Sequence, residues 1–110
     1  MSTARTRIGD LNRRLVLQEP VESADGQGGV IRSYQTVTTL WAQVAPLAAR
    51  ADIAAASLGA ALRYRIVVRA RADVTTRHQF VDGAHVYRVI AARLSADYRF
   101  LEIEAEERED

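Results

Sequence analysis

The chain has 110 residues, enough for one domain (1–110) with a modest core; 48% are hydrophobic, though alanine supplies much of that share and aromatic residues only 6%. Cysteine is absent, which excludes disulfides, thiolate nucleophiles and cysteine-ligated metals, and no run approaches the roughly 18 apolar residues of a membrane span. Net charge is +1 but uneven: Arg5, Arg7, Arg13 and Arg14 make the start basic, Glu102, Glu104, Glu106, Glu107, Glu109 and Asp110 make the end acidic, and every basic side chain is arginine.

Residues 1–12 read as an N-terminal arm with no apolar export segment. Residues 13–19 then alternate Leu15 and Leu17 against Arg14, Val16 and Gln18, the period-two pattern of a half-buried strand that Pro20 is expected to stop. Residues 23–29 form the clearest loop, because Gly26, Gly28 and Gly29 take positive φ at no steric cost. A short strand is predicted over 30–34 and another over 36–44. The latter is rich in β-branched residues, is ended by Pro46, and carries Trp41 as the expected core aromatic.

Residues 48–62 change character. Asp52 stands where it can cap a helix, and Ala51, Ala54, Leu58, Ala61 and Leu62 follow helical three-four spacing. A short helical insert is predicted, marginal on its own, since its alanine face buries little and Gly59 costs roughly 1 kcal/mol relative to alanine.

Strand character returns over 63–71, with Tyr64, Ile66, Val68 and Ala70 on one face and Arg63, Arg65, Arg69 and Arg71 on the other, interrupted by Val67. Asp82-Gly83 between residues 79–81 and 84–87 is a strong hairpin signal, with both residues placed in the turn and His85 opposite Phe80. Residues 86–92 are apolar on both faces, which predicts cover on both sides. Residues 99–106 send Leu101, Ile103 and Ala105 inward and Glu102, Glu104 and Glu106 outward, leaving 107–110 as an acidic tail. Five or six strands with one short helical insert predict a mainly β fold, a small antiparallel β-barrel or sandwich.

Chemistry finds little purchase. His78, His85 and Asp82 flank one turn, but the hairpin pairing holds the histidines apart, and ordinary strand ends account for them. No serine or threonine sits in a nucleophile motif, and the glycine cluster at 26–29 neither precedes a lysine nor opens a helix. No catalytic, metal or cofactor residue is assigned, and an enzyme is not expected. The arginine row is the most functional-looking feature: a linear basic face follows a phosphate backbone, though without an aromatic platform beside it. Cross-strand pairing with the glutamate row at 102, 104 and 106 is the simpler account of it. No large apolar surface patch is evident either, so a free subunit is expected to be monomeric or weakly associated.

The order of these signals resembles the phage head-tail joining family of head-closure, or stopper, proteins. The matching features are the Leu15-Val16-Leu17-Gln18 strand reaching Pro20, the Asp25-Gly26-Gln27-Gly28-Gly29-Val30 loop, Leu40-Trp41-Ala42-Gln43-Val44 followed by Pro46-Leu47, the insert, Arg65-Ile66-Val67-Val68-Arg69, and Asp82-Gly83 with Tyr87-Arg88-Val89-Ile90. They span nearly the whole chain; Ala72-Asp73-Val74 stands where the family often has a Pro-Gly-like turn. The resemblance implies a β-barrel whose copies form a ring beneath the portal and its adaptor, retain packaged double-stranded DNA without reading its sequence, and dock the tail terminator or tail-tube protein. It places the insert, with Asp52, Ile53, Leu58 and Leu62, towards the DNA channel. Its implied location is the virion of a phage, prophage or gene transfer agent, assembled in the bacterial cytoplasm, with no membrane and no cofactor. Two other readings stay open: a single-strand nucleic-acid-binding β-barrel using Arg63, Arg65, Arg69 and Arg71, and a tail-side terminator.

Overall fold

The computed structural model describes residues 7–47 and 62–108. Six strands, β1 (Arg13–Ala24), β2 (Val30–Pro46), β3 (Leu62–Arg69), β4 (Gln79–Asp82), β5 (His85–Leu94) and β6 (Phe100–Arg108), follow a 3-10 turn at Ile8–Asp10. All pairings are antiparallel, and one sheet closes on itself in the order β1-β2-β3-β6-β5-β4. The closure is uneven. β3 and β6 pair along eight residues, whereas β4 returns to β1 through only Val16–Val81, Leu17–Phe80 and Gln18–Gln79. Gln79 Nε2 donates to Gln18 Oε1 at 2.7 Å across that thin seam.

The alternation read from the sequence builds the interior. Leu15 and Leu17 of β1, Ile66 and Val68 of β3, Phe80 of β4 and Ile103 of β6 are all buried and meet in one core. Val67, which breaks the arginine row, is buried on the opposite face, where Leu11 and Phe100 cover it. The end of the N-terminal arm therefore packs on the outside of the sheet, and the one apolar residue among the arginines is its landing point.

Several boundaries differ from expectation. β1 runs through Pro20 to Ala24, because past Gln18 it has β2 on one side only, and an edge strand tolerates a residue that cannot donate. The two strands expected over 30–44 are one strand of 17 residues. Asp82 pairs with His85, so the turn is Gly83-Ala84; only Gly83 has positive φ, at 60°, the requirement of a II′ turn whose first central residue is glycine. His85 thus faces Asp82, and Phe80 faces Tyr87. In β5 the double-sided apolar run reflects a bulge between Val89 and Ala91: Val89 is buried, Ile90 half-buried, and Ala91 and Ala92 are exposed rather than covered.

At the far end of the β1–β2 hairpin, Asp25 organises the loop. Its Oδ1 accepts from the backbone N–H of Gln27 at 2.7 Å and of Gly29 at 3.0 Å, while Gly26 and Gly28 take φ of 82° and 83°. Those two bonds hold the Asp25 carboxyl below the usual carboxylate range.

Candidate functional site

The arginine row is mostly spent on its neighbour strand. In register, Arg63 faces Glu106 and Arg65 faces Glu104, but the ion pairs run diagonally: Arg63 to Glu104 at 2.7 Å and Arg65 to Glu102 at 3.2 Å. Arg93 of β5 reaches the same Glu102 at 3.6 Å, so the glutamate row is gripped from both sides. Arg69 and Arg71 lie further along, beyond the glutamates, and form no ion pair among the described residues. The row is therefore two things: a neutralised half and a free pair. Of the insert residues, Asp52, Ile53 and Leu58 lie outside the described residues, and Leu62 is the first residue of β3, half-buried and opposite Glu107. Glu107 likewise belongs to β6 rather than to a loose tail.

A polar cluster closes the barrel where β3, β4, β5 and β6 converge. The Tyr64 hydroxyl donates to Glu107 at 2.9 Å, its ring meets Tyr87 edge-on at 5.1 Å, and His85 contacts Glu107 from the other side. Arg13 pairs with Asp82. Burial, reinforced by Glu107, pushes the Tyr64 phenol up to about 12, and burial also raises Tyr87. The hydrogen bond to Asp82 raises Arg13. Every strong bond here joins two residues of this chain, and the cluster reads as a barrel-end clamp. His78 is tied separately, its Nδ1 accepting from the Thr75 N–H at 3.0 Å.

Two exposed apolar surfaces also stand out among the described residues. From residue 19 in β1 and from 30 to 42 in β2, the hairpin has no third strand among the described residues, so a two-stranded ribbon projects from the closed sheet. The molecule is 58 Å long and 22 Å across its thinnest dimension. Val30, Ile31 and Tyr34 on the ribbon are 64%, 53% and 43% exposed. Where β2 leaves β3, the wall opens into a cleft of about 720 Å³ whose lining includes Ile8, Leu17, Val37, Leu40 and Trp41 together with Arg69, Arg71 and Asp73. Trp41, expected in the core, is 55% exposed, with the Arg14 guanidinium 5.4 Å from its ring centroid.

Both apolar surfaces went unread in the sequence. The signal that marks them is a broken alternation: Val37, Leu40 and Trp41 put apolar groups on both faces of one strand, and Val30-Ile31 follows the loop as an adjacent apolar pair. A strand covered on one face alone needs neither.

A small closed sheet whose charged rows pair internally, and whose exposed apolar groups sit on a ribbon and an open cleft, has the build of an assembly protein. The chain belongs to the phage head completion protein family, whose model matches residues 6–108. It is similar over 96% of its length to the whole of a chain in the virion of a native gene transfer agent particle, at 28% identity and a TM-score of 0.70. A solution structure of protein SF1141 from Shigella flexneri 2a shares the fold, at 24% identity and a TM-score of 0.69, over 93% of this chain and 96% of that one. No curated protein matches. The protein is a virion component with a head-closure role in a phage or phage-like particle.

Proposed function

We propose that the protein is a structural stopper subunit, acting without catalysis, whose copies form a ring between the portal or adaptor and the tail. The ring retains packaged double-stranded DNA and offers the tail terminator or tail-tube protein a docking surface. The observation that carries this reading is the family match over residues 6–108, and the ribbon and cleft support it, since each is an apolar surface that a single copy leaves in water. Residues 48–61, followed by Leu62 at the start of β3, are assigned to the DNA channel. Arg69 and Arg71 are the pair of the basic row free to meet an acidic partner.

The single-strand nucleic-acid reading draws no support from the geometry, because Arg63 and Arg65 already face carboxylates at 2.7 and 3.2 Å. Deleting the gene tests the proposal. Filled heads that lose DNA and carry no tails, with both defects repaired by the wild-type gene, are the expected outcome; tailed, infectious or DNA-delivering particles without the protein overturn it.

A further inference from the structure

The ribbon and the cleft are both uncovered, and they differ in shape and in charge. Residues 19–35 of the ribbon carry Glu19, Glu22 and Asp25 against Arg32, a net charge of −2, counting 3 acids and 1 base; Glu22 pairs with Arg32 at 3.0 Å and Glu19 accepts from Gln35 Nε2 at 2.7 Å, both across the ribbon. The cleft carries Arg14 over Trp41 and, in its lining, Arg69 and Arg71 against Asp73, a net charge of +2, counting 3 bases and 1 acid. Its lining is mostly apolar, and one wall is the β2 edge from Thr38 to Trp41, which has no partner strand on that side among the described residues. An unpaired edge above an apolar floor accepts a strand, whose backbone satisfies the edge while its side chains fill the floor. The ribbon is such a strand pair: among the described residues its outer edges are also unpaired, it bears Val30, Ile31 and Tyr34 exposed, and two strands alone are marginal in water.

We propose that the β1–β2 ribbon of one copy seats in the cleft between β2 and residues 69–73 of the next copy, its acidic side chains against Arg69 and Arg71. The inference rests on the ring reading above and names the contact that builds it. Ribbon and cleft are different surfaces, so the contact is heterologous, each copy giving a ribbon and receiving one, and such a relation repeats until the rotation closes a ring. Arg14 and Trp41 then become interface residues, which accounts for an exposed tryptophan stacked under a guanidinium, since both types are favoured at the centre of protein interfaces.

Charge reversal tests it in particles. Glu19→Arg with Glu22→Arg on the ribbon, which gives up the exposed Glu22–Arg32 pair, is expected to lower the melting midpoint of the free protein slightly, Arg69→Glu with Arg71→Glu at the cleft is expected to leave it nearly unchanged, and each is expected to cut the yield of DNA-retaining particles about tenfold or more. Co-expressing the two reversed chains restores the yield, because each altered ribbon then finds an oppositely altered cleft in an alternating ring. Unchanged yield for either single reversal, or no rescue in the mixture, overturns the contact. A photo-crosslinking amino acid in place of Trp41 supplies the second readout. Cross-links to residues 19–35 of another copy support the inference; cross-links to DNA, to another virion protein or to a different part of a second copy overturn it. Imaging of the wild-type particle neck keeps the two readings apart. A ring of this protein with the wrong cross-link sinks the contact alone, and a neck without such a ring sinks the stopper assignment.

Discussion

Arg63 and Glu104 meet at 2.7 Å across β3 and β6 although the register sets Arg63 opposite Glu106, so the ion pairs of this face run one step diagonally. The same offset joins Arg65 to Glu102, and the pairs lie parallel on the barrel surface. Both arginines remain well exposed, which limits what each pair contributes to less than about 1 kcal/mol. Arg63→Gln with Arg65→Gln is therefore expected to lower stability only slightly and to leave affinity for single-stranded DNA unchanged. Urea unfolding and filter binding across a salt series measure the two effects; a large drop in DNA affinity with a shallower salt slope contradicts the pairing account.

Trp41 and Phe80 make a matched contrast. Phe80 is fully buried in the core and Trp41 is 55% exposed, with the Arg14 guanidinium over its ring. Phe80→Ala is expected to cost about 3–5 kcal/mol, and Trp41→Ala no more than about 1 kcal/mol, the scale of an exposed cation–π contact. Chemical denaturation of the free chain ranks them. An equal loss for both places Trp41 in the fold rather than on a contact surface.

The parts of the fold legible in the sequence were those written in period two. Leu15, Leu17, Ile66, Ile103 and Ala105 lie inside as their alternation predicts, and the glutamate row lies outside. Val67 was legible only as an interruption, because the Leu11 and Phe100 that cover it are distant in the chain. The hairpin turn lies one residue later than the Asp82-Gly83 signal predicts, since Asp82-Gly83 and Gly83-Ala84 turns differ only in where the positive φ falls. The ribbon and cleft were hidden for a deeper reason: an apolar residue reserved for a partner has the same side chain as one reserved for the core. Trp41, which its strand context predicts to be interior, is exposed.

The Tyr64–Glu107 clamp predicts an alkaline weakness. The folded chain holds the Tyr64 proton to about 12 against an ordinary value of 10, so the stabilisation is complete below pH 10 and is lost as pH rises towards 12. Unfolding midpoints measured over that window are expected to fall for the wild type and to fall less for Tyr64→Phe, which has no proton to lose. The buried Tyr87 phenol, also raised, leaves a residual slope in the variant. Identical slopes for the two proteins contradict the clamp.

The channel assignment of residues 48–61 separates from the barrel through Leu62. The closed sheet is completed by residues outside that segment, with Leu47 bonded through its N–H to the Arg63 carbonyl at 2.9 Å, so the two ends of the segment meet at one place on the β2–β3 ladder. Replacing Leu62, half-buried opposite Glu107, by aspartate puts a like charge into a strand pair and is expected to loosen the barrel itself. Leu58→Asp and Ile53→Asp are the cleaner probes. If the segment faces the DNA channel, the free variants keep the wild-type unfolding curve, and particles built with them leak DNA or fail to join tails. Hydrogen exchange adds the assembly dependence: amides of 48–61 are expected to exchange fast in the free subunit and slowly in the particle, while the β3 and β6 amides stay protected in both. Unfolding of the free Leu58→Asp chain, or protection of the segment before assembly, makes it part of the core and removes it from the channel.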